Sequence, residues 1–333
     1  MKLYDTLKEL CLCPAVSGRE EKIREKLEGL IAPFCDEYRT DALGNLIAVK
    51  KGTGEGKRIM LAAHMDEIGF LITFIEDSGM LRVAPVGGIS LPSAAYSHVV
   101  SEKGVKGVIV PEDKVKAADY KSEVFYIDIG ARDKKKAEAK VSIGDFFVAV
   151  PTVDRLMGGR VCGRPLDDRV GCAALLGIAE ALWEETLSHD VYYVFSVQEE
   201  VGCRGAKTAA FSIDPHVALC FDVTATGDTP SCAPMACKLG DGAAIKIKDS
   251  SVICDEIVTN KLCEIAKQNK IKAQKEILLF GGTDTSAMQL AGSGAAVGAL
   301  SIPTRYIHSG VEMCDLADIE ACIELGKEFI KSI

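Results

Sequence analysis

Residues 58–64 read Arg-Ile-Met-Leu-Ala-Ala-His, a short apolar run that stops abruptly at the polar residues Asp66 and Glu67. A continuous apolar run of this length is typical of a strand buried on both faces, as in parallel sheets covered by helices. Similar runs occupy residues 190–197, 217–223 and 295–302. Helical spacing occupies residues 3–11, 20–31, 168–184, 255–269 and 316–332. This alternation predicts an α/β fold with a mainly parallel sheet sandwiched by helices.

A different pattern fills residues 70–161, where short β-like runs alternate with Gly, Pro and Asp turns. The runs lie at residues 71–75, 81–86, 98–101, 107–110, 125–129 and 145–149, and helical spacing occurs only at 134–140. Short strands separated by turns favour a small β-barrel or sandwich. We therefore expect an inserted β-barrel domain at 70–161, with residues 1–69 and 162–333 forming one domain around it.

The composition is that of an ordinary globular protein, since 48% of the 333 residues are hydrophobic and 26% are charged. The formal net charge of −9 and the lack of a basic run argue against nucleic acid or an anionic membrane as a partner. No apolar stretch reaches the ~18 residues that span a bilayer, and the first residues carry no signal-peptide pattern. We expect a cytoplasmic protein whose thirteen cysteines are reduced.

Imidazole and carboxylate side chains follow the predicted strands at the points where the strands end. These residues are His64, Asp66, Glu199, Glu200, Asp222 and His308, and the pair Asp167-Asp168 stands at the start of a predicted helix. Ligands of open α/β sheets bind beyond the carboxyl ends of the strands, so we expect these groups to converge at one edge. Buried charges need partners, and histidine with carboxylates suits Zn²⁺, Co²⁺ or Mn²⁺. Two such ions with a carboxylate between them are typical of hydrolases.

Each of these signals also has a simpler interpretation. Asp167-Asp168 could be a helix N-cap, because carboxylates favour that end, and Glu199-Glu200 could be solvated surface. His98, His189 and His216 are interpreted as ordinary core or surface residues. Cys162 and Cys203 are interpreted as small core residues rather than metal ligands. The coincidence of several strand-end groups favours the metal interpretation over these alternatives.

Seven strings occur in one order along nearly the whole chain. They begin at Pro14, His64, Leu166, Gln198, Asp222, Gly281 and Arg305 and read PAVSGRE, HMDEIG, LDDRVG, QEEVG, DVT, GGTD and RYIHS. Together they resemble the M42 family of clan MH, the co-catalytic metallo-aminopeptidases of glutamyl, leucyl and deblocking type. Two departures, Gly310 in place of an expected Pro and Arg164-Pro165 in place of Lys-Ala, remove no candidate ligand.

The resemblance implies a site with two divalent metal ions, zinc or cobalt, with manganese as a further choice. The implied ligands are His64 and Asp222 for one ion and Glu200 and His308 for the other, with Asp167 bridging both. Glu199 would be the general base, and Asp66 would orient His64. In related enzymes the peptide bond that follows the bridging Asp is cis.

The implied activity is removal of N-terminal residues from short peptides by metal-activated water. An N-deacylase and a hydrolase of the kind labelled cellulase in this family are alternatives, whereas an inactive scaffold would lack a ligand or the base. The preferred N-terminal residue stays open; Arg305 and Lys238 are candidates for favouring acidic substrates in a pocket around residues 281–284. The family's inserted domain makes dimer contacts, so we expect a homo-oligomer built from dimers, with a tetrahedral dodecamer as the larger assembly.

Overall fold

A computed structural model describes residues 2–54 and 56–333. The helices of these residues are α1 (Leu3–Cys11), α2 (Glu21–Ile31), α3 (Leu91–Ala94), α4 (Lys134–Glu138), α5 (Arg169–Leu182), α6 (Arg204–Ile213), α7 (Glu256–Gln268), α8 (Thr285–Gln289) and α9 (Leu316–Lys331). The strands are β1 (Glu37–Thr40), β2 (Leu46–Lys50), β3 (Arg58–His64), β4 (Gly69–Ile75), β5 (Leu81–Val86), β6 (Ser97–Ser101), β7 (Lys106–Pro111), β8 (Phe125–Asp128), β9 (Phe146–Ala149), β10 (Thr152–Arg155), β11 (Arg160–Arg164), β12 (Asp190–Ser196), β13 (Val217–Thr224), β14 (Ala243–Lys248), β15 (Ala273–Ile277), β16 (Ala296–Arg305) and β17 (Glu312–Asp315). None of the described helices has the length and apolarity needed to cross a membrane.

The larger sheet holds eleven strands of the described chain, and its main path runs β1-β2-β12-β3-β13-β16-β17-β11-β10. Strands β12, β3, β13 and β16 are parallel to one another at its centre. Antiparallel strands flank this centre on both sides. All residues of β3 from Ile59 to His64 are buried, as the continuous apolar run requires. The expected parallel arrangement is thereby confirmed for the centre of the sheet, whereas the strands outside this centre add mostly antiparallel pairings.

Helices cover both faces of this sheet. One face packs against α1, α2, α5, α7 and α9, with Leu175 and Phe221 in the shared core. The other packs against α6 and α8, with Ala206 and Met288 in the core. Gly326 lets α9 approach the sheet closely, because a Cβ atom there would lie 2.8 Å from Cζ of Phe221. The sandwich of helices around the sheet matches the expected α/β class.

In the region expected to form the inserted domain, six strands form a closed barrel in the order β4-β5-β8-β7-β6-β9. All neighbouring strands pair antiparallel. The interior is apolar and includes Phe70, Leu81, Ile109, Ile127 and Phe147. This is the expected small β-barrel. β10 lies within the expected 70–161 range but pairs with β11 in the larger sheet, and the proposed domain boundaries stay a prediction.

Candidate active site

The strand-end residues meet at one edge of the larger sheet. His64 is the last residue of β3, and Asp222 lies near the end of β13. Glu199 and Glu200 follow β12, and His308 follows β16. Because these four strands are parallel, their carboxyl ends face the same side, where ligands of such sheets bind.

The carboxylate of Asp167 lies between the two imidazoles. Its Oδ1 is 3.0 Å from Nε2 of His64, and its Oδ2 is 3.2 Å from Nε2 of His308. Oε2 of Glu200 lies 3.2 Å from the same nitrogen of His308. Oδ1 of Asp222 lies 3.9 Å from Nε2 of His64. Five side chains therefore form a compact cluster, with one carboxylate reaching both halves of it.

The two residues of the Asp167-Asp168 pair have different environments. Asp168 is the N-cap of α5, and its Oδ1 accepts a hydrogen bond from the N–H of Gly171 at 3.0 Å. Its Oδ2 accepts from the N–H of His64 at 3.2 Å. The peptide bond between the pair is cis. The N-cap interpretation thus applies to Asp168, whereas the carboxylate of Asp167 faces the imidazoles.

Asp66 ties the ends of two strands together from a fully buried position. Its Oδ1 accepts a hydrogen bond from the N–H of Glu199 at 3.0 Å, and its Oδ2 accepts from the N–H of Glu200 at 3.2 Å. Ser17 donates to Oδ2 at 2.6 Å. Oδ1 also lies 3.4 Å from Nδ1 of His64. Asp66 therefore contacts the His64 ring and fixes the backbone that carries both glutamates.

Glu312, like Asp66, is a buried carboxylate that holds the backbone of site residues. This role was not predicted from the sequence. Its Oε2 accepts hydrogen bonds from the N–H groups of Leu166 at 2.6 Å and Asp167 at 3.1 Å. Its Oε1 accepts from the N–H of His308 at 3.0 Å. One buried carboxylate thus joins the backbones of two distant loops. The only available signal was its place in the string that follows His308.

The barrel region also reaches the cluster. Nδ1 of His308 lies 2.7 Å from the carbonyl oxygen of Gly88, in the segment that follows β5. A backbone carbonyl can only accept, so this contact places the proton on Nδ1 and leaves Nε2 of a neutral ring free to bind a metal.

Burial and mutual contact shift the protonation of the cluster. Burial raises the pKa of Asp222 and of Glu199 well above the usual range, and it also raises the pKa of Glu200. Burial alone would lower the pKa of His308, but hydrogen bonds to Asp167 and Glu200 raise it to about 11. Burial opposes ionisation of Asp167, yet the two imidazoles hold its pKa below the usual range. Such an excess of buried carboxylates is stabilised by cations.

A cavity of 660 Å³ opens over the cluster. Its walls include Val223, Thr224, Ser251, Leu278, Phe280, Gly281, Gly282 and Ile307. Arg305 lines it too, but Asp228 binds the guanidinium at 2.9 and 2.6 Å. Lys238 is not among its lining residues. The cavity thus adjoins part of the expected 281–284 pocket. Among the described residues that line it, Arg305 is the one Lys or Arg, and it is already paired with Asp228.

Cys203 is not the small core residue that the sequence suggested. It is half-buried and lines the cavity. Its Sγ donates a hydrogen bond to Oε1 of Glu199 at 3.2 Å. Cys162 is also half-buried, but its Sγ contacts the carbonyl oxygen of Val311 at 3.6 Å instead. Of these two thiols, therefore, only that of Cys203 contacts Glu199.

Comparisons of sequence place these features in a known family. The family model for M42 glutamyl aminopeptidases matches residues 44–325. A protein of Acetivibrio thermocellus is 46% identical over 329 residues, covering 98% of each chain. The lysyl aminopeptidase of Pyrococcus furiosus is 34% identical over 344 residues, covering 99% of this chain and 97% of its own.

Solved structures agree with the sequence comparisons. An aminopeptidase of the archaeon Desulfurococcus kamchatkensis superimposes with a TM-score of 0.95 at 37% identity, covering 100% of this chain and 95% of its own. The TET1 peptidase of Pyrococcus horikoshii gives 0.89 at 38% identity, covering 98% of both chains. A Thermotoga maritima protein named an endoglucanase gives 0.82 at 32% identity, also covering 98% of both. The family expected from the sequence is confirmed: the chain belongs to the M42 glutamyl aminopeptidase family.

Proposed function

We propose that the protein is a dimetal aminopeptidase that removes N-terminal residues from short peptides. The observation that carries this proposal is the carboxylate of Asp167, whose two oxygens lie 3.0 Å from Nε2 of His64 and 3.2 Å from Nε2 of His308. A carboxylate shared by two imidazole-bearing half-sites suits the pair of ions found in aminopeptidases and other hydrolases. Membership of the M42 family supports the same reaction.

The residues present fit two divalent ions. Asp222 and His64 would hold one ion, and Glu200 and His308 would hold the other, with Asp167 shared. Imidazole nitrogens and carboxylate oxygens suit zinc and cobalt, and also manganese. When bound, such ions supply Lewis acidity and lower the pKa of a bound water.

Glu199 is the proposed general base. Its Oε2 lies 4.0 Å from Nε2 of His64, and the residue lines the cavity. Burial raises its pKa, which brings a carboxylate towards the range in which it can both take a proton and return it to a leaving amine. Asp66 would keep this group in place through the N–H of Glu199, and it would orient the ring of His64.

The cavity supports neutral N-terminal side chains as the preferred ones. Val223, Leu278 and Ile307 supply apolar surface beside the cluster. A substrate carboxylate would need an unpaired cation, and Arg305 already holds Asp228. An unprotonated free amine would offer a nitrogen ligand to a bound ion, which a blocked amine would not, and this favours cleavage at the N-terminus.

A glycoside hydrolase is the second candidate, because one structural relative carries the name endoglucanase. Hydrolysis of a glycosidic bond needs two carboxylates on either side of the sugar and no metal. An N-deacylase would use the same ions and base but would accept a blocked amine. Chelation and blocked substrates therefore separate the three activities.

The test is hydrolysis of aminoacyl-p-nitroanilides with and without EDTA, followed by addition of Zn²⁺, Co²⁺ or Mn²⁺. We expect cleavage of free-amine substrates only, loss of activity in EDTA, recovery with metal, and loss in Glu199→Gln. Equal cleavage of N-acetylated substrates would instead support the deacylase. Cellulose hydrolysis that resists EDTA would support the glycosidase, and either result would overturn the aminopeptidase.

We also propose that the protein is a homo-oligomer built from dimers. The Pyrococcus horikoshii peptidase is described as assembling into a tetrahedron or a large octahedral shell. Light scattering coupled to size exclusion would give the mass in solution, and a monomer would contradict the proposal. The cytoplasmic location stays a prediction.

A further inference from the structure

A second group of possible ligands lies beside the proposed dimetal cluster. Glu199, Cys203 and Asp284 each offer one ligand atom, and these atoms lie within 4.8 Å of one another. The thiol of Cys203 contacts Glu199 directly, at 3.2 Å between Sγ and Oε1. Apart from Glu199, none of this group takes part in the mechanism proposed above.

Asp284 gives an independent indication that a ligand belongs here. The residue stands just before α8 and is only 1% exposed. Its Oδ2 accepts a hydrogen bond from Ser196. Its Oδ1 is buried and has no hydrogen-bond partner among the described residues. A buried carboxylate oxygen without a partner is costly, so such atoms are normally paired with a donor or a cation.

The group is also accessible. Glu199 and Cys203 both line the 660 Å³ cavity, so an ion can arrive from the substrate side. Cys203 is the N-cap of α6, directly after the loop that carries the glutamates. The three ligands come from the loop after β12 and from the residue before α8, so no rearrangement of the sheet is needed to bring them together.

We propose that Glu199, Cys203 and Asp284 form a third cation site, which takes a thiophilic divalent ion such as Zn²⁺ or Cd²⁺ and inhibits the enzyme when filled. A thiolate with two carboxylates and one water completes a tetrahedral zinc site. Hard ions such as Mg²⁺ and Ca²⁺ prefer sites made only of oxygen ligands. On binding, the Sγ–H bond of Cys203 breaks, a metal–sulfur bond forms, and the proton leaves to solvent.

The inhibition follows from the double use of Glu199. A carboxylate bound to the third ion no longer has that oxygen available to accept a proton. This consequence rests on the proposed function, because it requires Glu199 to act as the base. Binding of the third ion does not rest on it, since it depends only on the three ligands. The two parts can therefore be measured separately.

The binding experiment starts from apoprotein and counts bound Zn²⁺ by equilibrium dialysis and metal analysis. We expect the wild type to bind one equivalent more than Cys203→Ala, with Cys162→Ala as the matched control that keeps it. Loss of the thiolate should weaken this last equivalent by about tenfold or more, judging from the size of metal-site mutations. Asp284→Asn, which keeps the side chain's shape, should weaken it as well.

Cobalt gives a direct signature of the thiolate. Titration of the wild type with Co²⁺ should produce a sulfur-to-cobalt charge-transfer absorption only after the tighter sites are filled. The absorption should be absent in Cys203→Ala and present in Cys162→Ala. Equal stoichiometry in the wild type and Cys203→Ala, or an absorption that persists in Cys203→Ala, would overturn the site.

The activity experiment compares each form with its own rate at two equivalents of metal. Excess Zn²⁺ should inhibit the wild type and Cys162→Ala. For the same inhibition, Cys203→Ala should need a zinc concentration at least about tenfold higher. A third ion that binds through Cys203 without inhibition would overturn the inhibitory role alone. If no peptide substrate is cleaved at two equivalents, the proposed function fails while the binding result still stands.

Discussion

Glu312 controls the relative position of two proposed ligands through their backbones. It accepts hydrogen bonds from the N–H groups of Leu166, Asp167 and His308. Glu312→Ala leaves all three donors without this acceptor, and a buried unsatisfied group costs about 1–3 kcal/mol. We expect the affinity for Zn²⁺ to fall about 10- to 100-fold, as for other residues that orient metal ligands.

Competition between the apoprotein and a chelating dye would measure that affinity. Glu312→Gln is the matched control, because it keeps the shape and one carbonyl oxygen and should give an intermediate affinity. A folded Glu312→Ala protein with wild-type zinc affinity would show that the loops hold their positions without this carboxylate.

Asp228 decides whether Arg305 is available to a substrate. Its two oxygens bind the guanidinium at 2.9 and 2.6 Å. Burial opposes ionisation of Asp228, but the hydrogen bonds from Arg305 lower its pKa to about 2. Asp228→Asn should leave Arg305 free to bind an acidic side chain. We expect the ratio of kcat/KM for glutamyl over leucyl p-nitroanilide to rise by about tenfold, or ~1.4 kcal/mol.

Asp214→Asn is the control for this change, because Asp214 pairs with Arg58 at an exposed site. An unchanged ratio in folded Asp228→Asn would mean that Arg305 does not approach the N-terminal side chain.

Gly205 fixes how α6 starts beside β12. A Cβ atom there would lie 2.4 Å from the carbonyl oxygen of Val197 and 2.3 Å from Oδ1 of Asn45. The backbone of Val197 cannot move without shifting the loop that carries Glu199. Gly205→Ala should therefore destabilise the protein by about 1–3 kcal/mol and reduce activity as well.

Gly29 provides the comparison, since a Cβ atom at this position of α2 would have nothing within 4 Å. Gly29→Ala should raise stability by about 0.5–1 kcal/mol through helix propensity and leave activity unchanged. Urea unfolding and p-nitroanilide hydrolysis would measure both variants. Equal stability of Gly205→Ala and wild type would show that α6 can shift freely.

The elements also show why sequence patterns succeed at some positions and fail at others. β3 was predictable because burial on both faces leaves a continuous apolar run, and the ligands stand where that run stops. β1 was not predicted, since all four of its residues are exposed. The role of Glu312 as a hydrogen-bond acceptor for the site backbone could not be predicted, because its contact with Leu166 joins residues 146 positions apart. The residues alone left open whether the pair Asp167-Asp168 caps α5 or binds metal. The structure shows that Asp168 caps the helix and that Asp167 faces the imidazoles.

The barrel and the larger sheet together fix the position of His308. Gly88, from the barrel region, accepts from Nδ1 of His308 at 2.7 Å. Arg164 lies at the end of β11 and donates to the carbonyl oxygens of Ser309 at 2.8 Å and of Ile68 at 3.1 Å. Ile68 directly precedes the first barrel strand. The geometry of one half of the proposed metal site therefore depends on how the barrel is seated.

Because the proposed ligands come from distant parts of the chain, we expect metal binding to stabilise the molecule as a whole. Five acidic and imidazole side chains from distant parts of the chain converge, and the bound ions would offset the repulsion among the buried carboxylates. A ligand that binds only the folded state at 100 times its Kd adds about 2.7 kcal/mol. We expect EDTA to lower the Tm measured by scanning calorimetry, and Zn²⁺ to restore it. Asp167→Asn should show a much smaller shift, because it weakens the ligand shared by both ions. A Tm that does not change with EDTA, in protein shown to have held metal, would mean that the fold does not depend on its ions.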